Sequence, residues 1–293
     1  MLATHIDGKA IAGRIRDGVA RRARALRHGG HPPCLAAILA GDDAAALSYA
    51  RSQEARAEEA GIDYRLVRLP SDVGSSPLID EIDALNADAS ISGIMLHLPL
   101  PRGDDAFSVQ QRIAAAKDVE GVGAENLGLL MMGRDALVPC TAAAAFECLR
   151  SVVPDMTGLD AVVVGRSVIV GKPLAMLLLA ANATVTQCHS RTRDLREHTR
   201  SAKLLVVAAG SAGLIGAEHV SPGAVVVDVG THRVTVLDAD GVERIRTVGD
   251  VRFDEVASIA AAITPVPGGV GPVTVAKLLE NTVRACERML AAP

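Results

Sequence analysis

The chain has 293 residues, 49% of them hydrophobic, enough to bury one large core or two ordinary ones. A net charge of −4, 2% aromatic residues and no tryptophan argue against a basic nucleic-acid surface or a base-stacking platform. No apolar run nears the ~18 residues that span a bilayer, no signal-peptide core opens the chain, and Cys34, Cys140, Cys148, Cys188 and Cys286 form no CxxC pair; the expectation is a soluble cytoplasmic protein in a reducing compartment, with no metal.

Residues 8–28 space Ile11, Ile15, Val19 and Leu26 along one helical face. A short buried strand follows at 34–41. A helix over 44–60 stops at Gly61, a residue suited to the left-handed turn that ends helices. Strand 64–70, helix 77–87 and strand 91–101 continue the alternation, which predicts a parallel sheet with crossover helices. A helix is expected at about 105–115. Residues 117–133 are rich in glycine, lack a clean period and read as a long loop beside a site. PCT (139–141) opens an alanine-rich helix. Beyond it the pattern predicts strands at 204–210 and 224–230, followed by VGDV (248–251) and a Pro/Gly-rich turn entering a final helix, 272–290.

Residues 161–190 are the most informative stretch. The apolar run AVVV enters Gly165, a glycine turn with Ser167 and Gly171 follows, and Pro173 sits in the first turn of a helix that leads to another strand. This is one βαβ unit whose helix N-terminus offers free N–H groups and a positive dipole end to a pyrophosphate. An NAD site usually carries an acid about 20 residues after the turn, bonded to the ribose 2′-OH. Here that region reads Gln187, Cys188, His189, Ser190, Arg191, with no acid before Asp194. Arg166 and Arg191 would suit a 2′-phosphate, because a guanidinium donates two parallel hydrogen bonds. NADP is therefore expected over NAD; the alternative is that both arginines are solvated surface residues.

Several strings recur in order: HLPLP (97–101), KDVEG (117–121), Asn126-Leu-Gly, PCT (139–141), GRSVIVGKP (165–173), NATVTQCHS (182–190), VGDV (248–251) and TPVPGGVGPVT (264–274). They resemble the methylenetetrahydrofolate dehydrogenase/methenyltetrahydrofolate cyclohydrolase family over nearly the whole chain. The resemblance implies two α/β domains with a cleft between them. Residues 1–141 with the last helix (272–293) would form the smaller folate/catalytic domain, and 142–271 a Rossmann-type doubly wound parallel sheet for NADP. It implies cofactor contacts from Gly165, Arg166, Ser167, Gly171, Ser190, Arg191 and Thr231. Substrate contacts would come from Tyr49, Leu98, Pro99, Pro267, Gly268 and Gly269, in a protein that is usually a homodimer. The family oxidises 5,10-methylenetetrahydrofolate to the 5,10-methenyl compound, then hydrolyses that to 10-formyltetrahydrofolate.

The chain departs from the family at the positions usually assigned to chemistry. Tyr49 is present, but the lysine four residues later is Gln53, on the same helical face. The family's Gln before LPLP is His97, and the second Asp of KDVDG is Glu120. A glutamine cannot carry a proton, and no lysine lies between Lys9 and Lys117 to replace the missing one. His97 is the nearby group able to titrate near neutrality, either as a substitute base or simply as a hydrogen-bonding replacement for glutamine. Hydride transfer needs mainly orientation of two rings, whereas hydrolysis needs activated water. The expected function is thus NADP-dependent methylenetetrahydrofolate oxidation with weak or absent hydrolysis, with Tyr49, Gln53, His97 and Glu120 as the catalytic group. The rivals are a fully bifunctional enzyme, a paralogue acting on another pterin-like one-carbon substrate, and an inactive NADP-binding subunit.

Overall fold

The computed structural model describes residues 3–100, 105–237 and 243–291. The chain forms two compact units: Met1–Ala12 with Thr141–Thr274, and Gly13–Cys140 with Val275–Pro293. The sequence reading put residues 1–12 with the segment that follows them. They belong instead with the later segment, because strand β1 (Thr4–His5) pairs in parallel with β11 (Ala262–Ile263). A two-residue strand carries no periodicity by which a sequence could announce it.

The unit of residues 13–140 and 275–293 is built on a three-stranded parallel sheet. Its order is β3 (Asp63–Leu69), β2 (Cys34–Ala40), β4 (Gly93–Leu96). The central strand, CLAAILA, is apolar throughout because both its faces are covered. On one face Leu35 and Ala37 pack with Val19 and Ala23 of α1 (Gly8–His28), Ala57 of α2 (Ala44–Glu59) and Leu278, Leu279 and Val283 of α10 (Val270–Ala291). On the other, Ala36 and Ile38 meet Leu78, Ile82 and Leu85 of α3 (Ser75–Ala87). Strand β4 is shorter than the expected 91–101, and Pro101 lies outside the described residues. The helix expected at 105–115 is only α4 (Ala106–Gln110). The stretch read as loop contains α5 (Ala124–Met131), with Met131 and Met132 exposed. It shows no apolar stripe because its anchor is a buried polar residue, Asn126.

Helix α6 (Cys140–Arg150) leads into the other unit, a six-stranded parallel sheet. Its order is β1, β11, β8 (Val225–Asp228), β7 (Leu204–Val207), β5 (Asp160–Val164), β6 (Thr184–Cys188). Helix α7 (Gly171–Ala180) joins β5 to β6, as the βαβ reading required; α8 (Leu195–Thr199) and α9 (Phe253–Val256) are short. Order reverses between β5 and β7, and such a switch point at the carboxyl ends of the strands is where open α/β sheets bind ligands. The sequence reading missed an antiparallel ribbon, β9 (His232–Leu237) with β10 (Glu243–Val248). It pairs with itself outside both larger sheets, so neither strand needs an apolar run. Of the VGDV string (248–251), Val248 closes β10. Leu205, fully buried in β7, should lose about 2–5 kcal/mol of stability as Leu205→Ala, read as a lowered urea midpoint.

Candidate active site

The loop Lys117–Asn126 shapes the first cluster. Lys117 Nζ donates to the carbonyls of Leu85 (2.9 Å), Asn86 (2.8 Å) and Asp88 (2.7 Å), closing the C-terminal end of α3. Asp118 is buried and accepts from the N–H groups of Gly121 (3.0 Å) and Gly123 (2.7 Å) and from Asn126 Nδ2 (3.1 Å). Asn126 in turn accepts from the N–H of Leu137. Val119 packs so closely on Gly93 that a Cβ there would lie 2.3 Å from it. Gly121, at φ +69°, allows the chain to pass within contact of Leu137 and Val138. The residues on either side of Glu120 are thus fixed, and its carboxyl is held in place.

Glu120 Oε2 lies 3.4 Å from the N–H of Leu96, at the end of β4. Burial pushes its pKa up to about 7; Asp118 adds to the rise, and hydrogen bonds from Leu96 and Gln110 oppose it. Next along β4, His97 is 7% exposed, its N–H bonded to Ile38 O (2.9 Å) while its Nε2 is buried without a partner. Burial lowers its pKa, so the imidazole is neutral at pH 7. The Tyr49 ring stands edge-on to His97, with centroids 6.0 Å apart and planes at 90°.

Tyr49 and Gln53 come from α2, which starts where Asp43 Oδ1 accepts the N–H of Ala46 (2.7 Å). Gln53 is 3% exposed, and its Oε1 accepts from Tyr64 OH at 3.4 Å. Tyr49 is half-exposed, yet burial of its inner part raises its pKa; a hydrogen bond with Gln53 opposes the rise and the Glu120 charge reinforces it. Tyr49 therefore links the four residues singled out by sequence. Two members were not singled out. Cys140 is buried with Sγ 3.3 Å from Val119 O, and burial, with Glu120 beside it, pushes its thiol well up and leaves it unreactive. Tyr64, the second of two tyrosines, is the partner of Gln53. Leu98 and Pro99 are exposed beside His97.

The second cluster lies in the six-stranded unit. Gly165 has φ +131°, and a Cβ there would lie 2.2 Å from Ala208 O; a Cβ at Gly171 would lie 2.2 Å from Gly165 O. The turn is therefore compressed against β7 at the switch point, and only glycine fits either position. Ser167 Oγ accepts from Val170 N (3.2 Å), and Gln187 Nε2 donates to Gly165 O (3.0 Å), tying the turn to β6. Arg166, Ser190 and Arg191 are exposed around it, and Arg191 N donates to His189 Nδ1 (3.1 Å). A helix N-terminus behind a turn with no room for side chains fits a dinucleotide pyrophosphate. Beyond the ends of β8 and β11, a cavity of about 270 Å³ is lined by Lys9, Asp228–Thr231 and Pro265–Pro272, and so includes Thr231, Pro267, Gly268 and Gly269. Among the described residues there is no cluster of three metal-ligating side chains and no helix long and apolar enough to cross a membrane. All five cysteines are free.

The family model for the tetrahydrofolate dehydrogenase/cyclohydrolase catalytic domain matches residues 6–120, and that for its NAD(P)-binding domain matches 139–290. The chain is 47% identical to the bifunctional protein FolD of Azoarcus sp. over 292 residues, covering 100% of this chain and 99% of that one. It is 48% identical to the Bordetella bronchiseptica protein of the same name, covering 99% and 100%. The Campylobacter jejuni bifunctional enzyme superposes with a TM-score of 0.91 at 40% identity, covering 98% of this chain and 99% of the other. The Trypanosoma brucei enzyme, solved with NADP and an inhibitor, gives 0.91 at 37% identity with full coverage of both. The chain belongs to the tetrahydrofolate dehydrogenase/cyclohydrolase family.

Glu120 generates a stability prediction. Its carboxyl is harder to ionise folded (about 7) than unfolded (about 4.5). Its contribution is then greatest below pH 4.5, falls as pH rises from 4.5 to 7, and is level above 7, a loss of roughly 3 kcal/mol. Glu120→Gln should remove that fall, and urea titrations of both proteins at pH 5 and pH 8 measure it.

Proposed function

We propose that this chain is an NADP-dependent bifunctional enzyme that oxidises 5,10-methylenetetrahydrofolate to the 5,10-methenyl compound and hydrolyses that to 10-formyltetrahydrofolate. Loss of the motif lysine at Gln53 led the sequence reading to weak or absent hydrolysis. The end-to-end relatives named as bifunctional favour both steps instead. The observation that carries this reading is the cluster of Tyr49, Gln53, His97 and Glu120 around a desolvated carboxyl that changes charge near pH 7. A group with that pKa can act as acid and as base at working pH.

When bound, NADP would supply the hydride acceptor; the chain's task in the oxidation is alignment. Gly165, Ser167 and Gly171 would receive the pyrophosphate, and Arg166, Ser190 and Arg191 the 2′-phosphate. The cavity at Thr231 and Pro267–Gly269 would take the nicotinamide end. Tyr49 would pack on the pterin, and Glu120 would grip its polar edge. The bare Nε2 of buried His97 would find its hydrogen-bond partner in the folate. In the hydrolysis, water adds to the methenyl carbon and gives up one proton; the hydroxyl so formed then loses its proton to solvent and becomes the formyl carbonyl as the bond from that carbon to N5 breaks and N5 gains a proton, so one proton is released overall. Glu120 would take the first proton and pass it to N5. Gln53, held by Tyr64, orients Tyr49 but transfers no proton.

Purified protein should consume added methenyltetrahydrofolate faster than buffer does, followed by loss of methenyl absorbance. Glu120→Gln should slow that decay by about 10²-fold or more. Unchanged decay in the variant sinks the role of Glu120, and no enzyme-dependent decay at all sinks the second activity. NADP should bind at least tenfold tighter than NAD, about 1.4 kcal/mol, and Arg191→Ala should narrow the gap; calorimetry reads both.

A further inference from the structure

Lys9 is the one lysine that lines the cavity at the ends of β8 and β11. Its position is fixed by its neighbours. Asp7 Oδ1 accepts from the N–H of Lys9 (2.9 Å) and of Ala10 (3.0 Å), closing the start of α1. Gly8 lies so close to the Pro265–Pro272 loop that a Cβ would sit 1.7 Å from Gly269 O. The turn that carries Lys9 is thereby seated on the loop that forms the cavity wall. The other charged group lining the cavity, Asp228, has its oxygens engaged by the N–H groups of Gly230 (2.9 Å), Asp250 (3.0 Å) and Val251 (2.9 Å).

We propose that Lys9 biases this cavity against the oxidised nicotinamide ring and toward the reduced one, favouring oxidation of the folate. The proposal rests on the reading that the cavity takes the nicotinamide end of NADP. The ring is cationic in NADP⁺ and neutral once it has accepted a hydrogen with its electron pair; the folate carbon that gave them becomes the methenyl cation. One positive charge thus leaves the cavity in the oxidative direction. A cation carried on a residue of the cavity wall opposes the charged ring more than the neutral one. Asp228 is held by backbone donors in either case, so exchanging Lys9 for a neutral side chain isolates the ammonium's effect. Lys9 is exposed, so solvent screens part of it.

The test is calorimetric binding of NADP⁺ and NADPH to the full chain, to Lys9→Met and to Lys9→Arg. Lys9→Met should tighten NADP⁺ relative to NADPH by about three- to tenfold, less at high salt. A tenfold change lowers the bound cofactor's potential by about 30 mV. Lys9→Arg should keep the original ratio. An unchanged ratio in Lys9→Met, with both dinucleotides bound, overturns the proposal while leaving the cofactor site intact. Failure of the unaltered chain to bind either dinucleotide overturns the reading of the cavity, and the proposal with it.

Discussion

The catalytic unit depends on one buried carboxylate. Asp118 gathers two backbone N–H groups and the Asn126 amide, and that grip turns a glycine-rich stretch into a rigid frame. Lys117, one residue earlier, locks the same stretch to the end of α3 through three carbonyls. Neither side chain needs to touch a substrate. Both exist so that Glu120 is held facing Leu96 and Tyr49. Burial raises the Asp118 pKa and its hydrogen bonds lower it, the balance expected of a structural carboxylate. Truncating its side chain would strip the Gly123 N–H of its carboxylate acceptor and leave the Gly121 N–H and the Asn126 amide only their bonds to the carbonyls of Asp118 and Ala115, in an interior where an unpaired group costs about 1–3 kcal/mol.

The nucleotide unit is organised around contact rather than charge. Gly165 and Gly171 leave no room for a side chain, since Ala208 O and Gly165 O occupy the space. The strand-to-helix turn is thereby drawn against β7. Asp250 does for this unit what Asp118 does for the other: it takes the N–H groups of Ala209, Gly210 and Ser211 and the His232 ring, fixing the loop after β7. Each unit thus fixes its binding loops with a buried acid and backbone donors.

Where an element is covered on both faces, its sequence declared it. CLAAILA and AVVV are uninterrupted apolar runs, and the βαβ order around Gly165 could be read from them. Elements held by something other than apolar burial stayed hidden. Helix α5 hangs on Asn126, the β9–β10 ribbon pairs only with itself, and β1 is two residues long. The same distinction applies to the site. Tyr49, Gln53, His97 and Glu120 were legible because a family pattern marks their positions. Tyr64 and Cys140 were not, because their membership depends on β3 and α6 arriving beside α2 and the Lys117–Asn126 loop. The argument from Gln53 weighed the chain's lysines and His97 as replacements for the missing base, and it did not foresee how far burial would raise the Glu120 pKa.

Tyr49 and Tyr64 are the chain's only tyrosines, and it has no tryptophan. One faces His97 and the other holds Gln53. Almost all of the protein's native ultraviolet emission therefore originates within a few side chains of the Tyr49, Gln53, His97 and Glu120 cluster. Spectroscopically the rest of the molecule is dark. Changes around that cluster, ionisation of the neighbouring Glu120 carboxyl among them, fall on these two phenols, which report on it without a label or an engineered reporter.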